Sequence, residues 1–321
     1  NYSCILRTSL ILLLYGLLLN RYCHMKEKLK ISVVTVCYNM EGTIEETILS
    51  VLNQNYPNLE YIIIDGNSTD DTMLIVNKYK DKISTIVSEP DNGMYDAIHK
   101  GFSMATGDIL AWINADDSYM PWTFKYVNEV FTTYPDVDWI GGLPAFMDEG
   151  RILTDIFSYP GAKDQKDIVN GRFQSKIFGC LQQEGMFWRK SLYETSGGLN
   201  VNYRYAGDFD LWIKFAKKAK LVSVQIPLAA FMRRHDSLSI GSNDKYEAEI
   251  MQITAGLKVY PTFLYKLFMK NKKCTHLARL LTYRKSPILL YSLSEKRFIY
   301  KETRRSVSYH TLKGLMLYQH G

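Results

Sequence analysis

Four short runs of β-branched and aliphatic residues, each followed by a stretch with helical spacing, constrain this chain more than any other feature. Ile31 to Cys37 leads to Thr43 through Gln54, where Ile44, Ile48, Val51 and Leu52 recur at helical intervals. Tyr61 to Ile64 precedes a helix through Tyr79, and Ile83 to Val87 precedes a helix over Met94 to Ala105. Ile109 to Asn114 is the fourth run. Strands that alternate with helices in this way predict an α/β fold with a parallel, doubly wound sheet.

The fourth run carries the chemistry. Five of its six residues are apolar, the pattern of a strand buried on both faces, and it stops at Asp116 and Asp117. Ligands of open parallel sheets sit outside the carboxyl ends of the strands, where these acids project. The other strand ends carry Asn39, Asp65, and Glu89 or Asp91, so one sheet edge collects several polar groups. Paired hard oxygen donors suit Mg²⁺ or Mn²⁺, which takes one or two carboxylates and keeps other positions for water and substrate phosphate. An Asp-rich turn before a helix begun at Ser118 and Pro121 is the structural alternative. Neither GxGxxG after the first strand nor GxxxxGK[ST] anywhere is present, which excludes the dinucleotide fingerprint and the P-loop.

At 321 residues, with 46% hydrophobic and 22% charged, the chain has material for one large α/β domain or two small ones. Its five cysteines are odd in number, widely spaced and without a CxxC pair; this argues against a disulfide framework or zinc knuckle and for a reducing compartment. The net charge of +6 is concentrated in the tail: from Ile240 onward fifteen Lys or Arg face five acids, a local +10, and the remainder carries −4. Leu10 to Leu19 is apolar but short of the roughly 20 residues a membrane span needs. We expect residues 1–24 to be an extension upstream of a native start at Met25, with a short membrane-dipping anchor as the alternative. Residues 25–240 form the main domain, in halves 30–117 and 118–240, and residues 241–321 a basic helical region.

In the second half, Gly207-Asp208-Phe209-Asp210-Leu211-Trp212 opens a stretch with Leu211, Phe215 and Ala219 at i, i+4 and i+8, an amphipathic helix that starts at Asp208. An acid there also complements the helix dipole. Asp210, two residues on, reads as structural.

Val34-Thr35-Val36-Cys37-Tyr38-Asn39, Ser50 to Gln54, Ile64 to Asp70 and Asn114-Ala115-Asp116-Asp117 together resemble the family 2 glycosyltransferases of GT-A fold, whose Rossmann-like sheet is mostly parallel and flanked by helices. The block Ser88 to Ala97 resembles members that build bacterial surface polysaccharides, and the similarity runs from Lys30 to Ser239. The resemblance implies that Asp65 bonds the nucleobase, with the backbone near Thr35 and Tyr38 forming the nucleotide pocket and Asn39, Asp91 and Asp117 on the donor side. Asn114-Ala115-Asp116 stands at the DXD position, so Asp116 implies the ligand of Mn²⁺ or Mg²⁺; Asn114 departs from the first Asp. Asp208 implies the general base for the acceptor hydroxyl, with Gly207 in place of a family Glu and with Asp210 or Glu184 next by position. His235 implies a metal or diphosphate contact. The implied reaction is inverting transfer from a nucleotide-diphosphate sugar to a glycan or lipid-linked acceptor at the cytoplasmic face of the membrane. A nucleotidyltransferase lacks its Gly-rich basic loop here, and a GT-A-fold scaffold without turnover is favoured only by Asn114 and Gly207.

From Asp244 onward, Tyr260, Phe263, Leu264, Leu267 and Phe268 are interleaved with Lys266, Lys270, Lys272 and Lys273, and Phe298 and Tyr300 follow Lys296 and Arg297. This predicts an amphipathic basic element on an anionic membrane surface, or else a helical subdomain with aromatic core. No nucleic-acid recognition motif accompanies the charge, so nucleic acid is not an expected partner.

Overall fold

A computed structural model describes residues 28–156, 163–174, 180–234, 243–259 and 285–304. The extension over 1–24, His235 and the stretch from Tyr260 to Lys273 lie outside the described residues.

Strands β1 (Ile31–Cys37), β2 (Leu59–Asp65), β3 (Thr85–Ser88) and β4 (Ile109–Asn114) lie side by side in the order β3-β2-β1-β4, all parallel. Helices α1 (Ile44–Leu52), α2 (Thr72–Asn77) and α3 (Met94–Met104) make the crossovers. Alternate residues divide between two cores. Ile31, Val33, Ile109, Ala111 and Ile113 pack with Ile44, Ile48 and Phe124 on one face, whereas Val34, Val36, Leu110 and Trp112 pack with Ile98 and Phe102 on the other. Burial on both faces is why these strands read as continuous apolar runs.

After β4 come β5 (Ser118–Tyr119), α4 (Thr123–Thr133), β6 (Trp139–Gly141), β7 (Ala145–Met147), β8 (Leu153–Ile156) and α5 (Gln165–Val169). Then follow β9 (Met186–Arg189), α6 (Lys190–Ser196), α7 (Gly207–Lys218), β10 (Leu221–Val224), β11 (Ala229–Met232) and α8 (Asn243–Ile253). Antiparallel β9 sits between β4 and β6 and extends the sheet, with β10 parallel to β6. A second sheet, in the order β5-β11-β7-β8, brings Met232 against the turn after β4.

The C-terminal region differs from the expected helical one. It is helical over Asn243–Ile253, but β12 (Lys285–Ser292) and β13 (Arg297–Arg304) form an antiparallel hairpin that joins the main sheet through β10 and completes nine strands. Ile288, Leu289 and Phe298 are buried, and the Phe298 ring meets Tyr126 edge-on at 5.2 Å. The hydroxyl of Tyr134, which caps the C-terminus of α4, donates to the Phe298 carbonyl at 2.8 Å. The alternation of basic and aromatic residues around Phe298 is therefore the two-residue period of a strand, with Phe298 turned into the core against α4. Among the described residues no helix is long and apolar enough to cross a membrane.

Phe298→Ala should destabilise the protein by about 3–5 kcal/mol, the usual cost of emptying a buried aromatic site. Urea denaturation checks this. A midpoint equal to wild type would mean that the hairpin is not part of the core.

Candidate active site

The parallel registers put Cys37 opposite Asp65, Asp65 opposite Ser88, and Asn114 opposite Val36, so the four strands end in one row. The loops beyond that row hold most of the residues expected to meet a ligand.

On the β1 and β2 side, two loops are zipped together by side chain to backbone bonds. The Asn39 amide N–H donates to Ser68 Oγ at 2.8 Å, Thr69 N–H donates to Asn39 Oδ1 at 2.9 Å, and Met40 N–H donates to Thr72 Oγ1 at 2.7 Å. Asn39 accepts this with a left-handed φ of 52°, a conformation that asparagine tolerates better than most residues. Tyr38 stands out of this platform 60% exposed. Its ring and the Asp91 carboxylate both close on Gly66, where an added Cβ would lie 3.5 Å from Tyr38 Cδ2 and 2.7 Å from Asp91 Oδ2. Tyr38, Gly66 and Asp91 thus form an open notch with an aromatic wall and an acidic one.

Two of the residues expected on this side lie inside the fold. Thr35 is fully buried inside β1, paired with Ile63 and Ile113 on its two sides, and its hydroxyl shares a 3.1 Å bond with Tyr61. Asp65 is also fully buried. Its carboxylate accepts from Ser68 N–H at 3.0 Å, from Ser88 Oγ at 2.6 Å and from the Ser68 hydroxyl, and so organises the loop.

At the end of β4, Asp117 N–H donates to the Asn114 carbonyl at 3.2 Å, a tight turn that aims successive side chains apart. Asp117 turns inward. It is fully buried and accepts from Met232 N–H at 2.9 Å, so it braces β11; burial, then the nearby Asp116 and Glu184, raise its pKa well above the usual carboxylate range. Asp116 turns outward toward Arg234, whose Nε lies 3.6 Å from Oδ2. Gln183 holds the turn from the other side, donating to the Trp112 carbonyl at 2.6 Å.

The Asn114 side-chain oxygen is buried with no hydrogen-bond partner. An orphaned acceptor two residues from a partly exposed carboxylate is a donor set that a hard divalent ion fits, since such an ion needs one or two protein oxygens and fills the rest with water and phosphate. Among the described residues no group of three or more His, Cys, Asp or Glu is gathered to hold an ion.

Asp208 occupies the first turn of α7, partly exposed, and Tyr95 Oη donates to its Oδ1 at 3.0 Å. Burial raises its pKa, while the amide of Phe209 and the Tyr95 hydroxyl oppose the rise. The loop before α7 is held by Glu249 of α8, whose carboxylate accepts from Arg204, Tyr205 and Ala206 N–H at 2.8, 2.9 and 2.8 Å. Asp210 pairs with Lys214 one turn on at 2.8 Å, in keeping with a structural role. Glu184 lies between the two halves of the site. It is 3% exposed, and burial followed by the charges of Asp116 and Asp208 pushes its pKa up to about 8.

Sequence reasoning missed Glu249 and Tyr95. Glu249 reaches the loop from more than 40 residues away, and no local pattern announces such a contact. Tyr95 stood within the block that carried the family resemblance but shows no role until α3 is packed against α7.

A mostly parallel α/β sheet flanked by helices, with an Asn-Ala-Asp turn at the end of its central strand and a helix-borne carboxylate beyond it, fits the GT-A fold. The sequence profile of glycosyl transferase family 2 matches residues 32–195, and the chain belongs to that family of glycosyltransferases. It is 31% identical over 196 residues, 59% of this chain and 70% of the relative, to the Escherichia coli UDP-Glc:alpha-D-GlcNAc-diphosphoundecaprenol beta-1,3-glucosyltransferase WfaP. Among solved structures, S. aureus TarS 1-349 in complex with UDP-GlcNAc superposes with a TM-score of 0.56 at 18% identity, covering 71% of this chain and 66% of that one. The mannosyltransferase PcManGT from Pyrobaculum calidifontis, in complex with GDP-Man and Mn²⁺, superposes with a TM-score of 0.52 at 19% identity, covering 84% and 78%. These structural likenesses are to the fold.

The raised pKa of Glu184 gives a stability prediction. Native Glu184 holds its proton up to about pH 8, whereas an unfolded Glu loses it near pH 4.5, so wild type loses stability as pH rises through that window. Glu184→Gln keeps the neutral form at every pH. Melting curves should show the variant gaining on wild type between pH 5 and pH 8, with a constant gap above. A gap that does not change with pH would contradict the assignment.

Proposed function

We propose that this glycosyltransferase moves a sugar, with inversion, from a nucleoside-diphosphate donor to a hydroxyl of a lipid-linked glycan during assembly of a surface polysaccharide. The observation that carries the reading is that the stacked rings of Trp112 and Trp212, 5.8 Å apart, hold the strand that ends at Asp116 against the helix that begins at Asp208, and the charges of both acids raise the pKa of the buried Glu184. One can serve the leaving diphosphate and the other the incoming hydroxyl.

The donor base lies against Tyr38 in the notch with Gly66 and Asp91, which directs the diphosphate toward the β4 turn. Asp116 and the Asn114 side-chain oxygen would hold the Mg²⁺ or Mn²⁺. Bound there, the ion neutralises charge on the departing diphosphate. Arg234, beside Asp116, supplies further positive charge at the same place. Asp208 takes the proton from the acceptor hydroxyl as that oxygen attacks the anomeric carbon. The bond from the anomeric carbon to the diphosphate oxygen breaks on the opposite face, and the nucleoside diphosphate leaves. Burial of Asp208 raises its basicity toward neutral pH, where a general base works best.

The diphosphoundecaprenol acceptor in the name of the E. coli relative supports a lipid-linked acceptor and a place at the cytoplasmic face of the membrane. The basic stretch from Tyr260 to Lys273 is the segment we assign to that surface.

Two substitutions separate the roles. Asp116→Ala should abolish Mn²⁺-dependent binding of UDP or GDP, while Asp108→Ala, whose carboxylate accepts from Lys30 N–H at the far end of β4, should not. Calorimetry with each nucleotide reads this, and undiminished Mn²⁺-dependent binding by Asp116→Ala overturns the assignment. Asp208→Asn should bind nucleotide like wild type and transfer sugar about 10²- to 10⁴-fold more slowly, the typical worth of a general base. Transfer at more than a tenth of the normal rate would put the base elsewhere.

A further inference from the structure

Gly207 stands where the family resemblance placed a Glu, and the structure supplies a steric reason for glycine. A Cβ at Gly207 would lie 2.8–2.9 Å from Cγ, Cδ2 and Cε2 of Tyr95. Contacts under 3.0 Å with a packed ring are not tolerated, and this ring is 3% exposed in a core that also holds Ile98 and Phe102. The missing side chain lets the Tyr95 ring lie flat against the start of α7, and in that position its hydroxyl reaches Asp208 Oδ1 at 3.0 Å.

We propose that Tyr95 is a positioning residue for Asp208, a role Gly207 makes possible: its phenol fixes one carboxylate oxygen so that the other faces the acceptor. The inference rests on Asp208 acting as the base. The phenol is suited to the task because burial and the Asp208 charge keep it protonated, hence a donor, well beyond neutral pH. A hydrogen bond donated to a carboxylate stabilises the charged form, so Tyr95 restrains the rise that burial imposes on Asp208. The other titratable and charged groups that face Asp208 are Glu249 and Tyr246 from α8 and Glu184 ahead of β9; Glu249 adds negative charge, Glu184 keeps its proton up to about pH 8, and Tyr246 is held neutral by burial.

The same residue ties the two halves together. Tyr95 lies in the first turn of α3, two residues beyond Gly93, whose N–H donates to Asp91 Oδ1 at 2.7 Å. The Arg204 side chain, from the loop ahead of α7, lies 3.6 Å from where a Gly93 Cβ would stand. The segment from Asp91 to Tyr95 therefore spans from the donor notch to the base, and a shift of the α3 N-terminus on donor binding would be carried to Asp208.

The test uses the full chain with [4-¹³C]aspartate, the Asp208 carboxyl resonance being assigned by its loss in Asp208→Asn. Tyr95→Phe keeps the ring and removes only the donor. It should move the Asp208 titration midpoint upward. With UDP-glucose and a GlcNAc-diphosphoundecaprenol acceptor, it should lower kcat by about tenfold or more at unchanged donor KM, as expected for loss of a hydrogen bond to a charged group. The acid limb of the rate profile should move up with the midpoint. Gly207→Ala, which pushes the ring away, should behave in the same way. An unmoved midpoint in Tyr95→Phe overturns the inference, as does full transfer by Tyr95→Phe while Asp208→Asn is inactive. Full transfer by Asp208→Asn sinks the base assignment itself.

Discussion

The stack of Trp112 on Trp212 is the contact on which the geometry of this site depends. Trp112 lies in β4, two residues before Asn114, and Trp212 lies in α7, four residues after Asp208. Their rings are 5.8 Å apart and within 6° of parallel. Trp139 stacks on the far side of Trp212 at 5.8 Å, and Trp188 meets both Trp112 and Trp212 edge-on. All four are essentially without solvent exposure. Each such pair contributes about 0.5–1.5 kcal/mol beyond the area it buries, but geometry matters more here than energy. Large flat rings packed to crystal-like density leave α7 little freedom to slide along the sheet. The strand that ends in Asp116 and the helix that begins with Asp208 are locked together by their own side chains.

That lock forces acids into proximity, and the surroundings show how the resulting cost is managed. Asp117 is turned inward onto a backbone N–H of β11 and Asp116 is faced by Arg234. Glu184 and Asp208 have their pKa values raised, burial being the first cause for each. Arg151 adds a second guanidinium near Asp116 and Asp117, held by its bonds to the Ser118 hydroxyl and the Thr43 carbonyl. Carboxyl groups gathered at the end of a buried strand weaken the fold at neutral pH and would be relieved by a divalent cation. Stability and ligand binding draw on the same charges.

Much of this was legible in the sequence, and the failures have physical reasons. β1 was read at Ile31 to Cys37 and observed over the same residues, because a strand buried on both faces leaves an unbroken apolar run. The Asn114 to Asp117 turn and the start of α7 were legible because charge stood abruptly beside apolar sequence. The family resemblance implies donor-side roles for Thr35, Asp65 and Asp117, but a residue's place in a motif does not say what its side chain bonds within the protein. The serines that saturate Asp65 and the β11 amide that takes Asp117 come from 3 to 115 residues away. The C-terminal hairpin departs from the expected helix because its basic and aromatic residues follow the two-residue alternation that buries Phe298. Gly207 read as a loss of function in sequence; in space it is the vacancy that admits Tyr95.

The central claim is that Asp116 and Asp208 border one space, the first at the diphosphate and the second at the acceptor. Crystals grown with Mn²⁺ and UDP or GDP, measured at the manganese edge, test it most directly. The account predicts an anomalous peak bridging Asp116 and the diphosphate, with the base moiety against Tyr38 and the Asp208 carboxylate facing the open side of the terminal phosphate. Manganese bound away from Asp116, or Asp208 directed into the core with nucleotide in place, would contradict it.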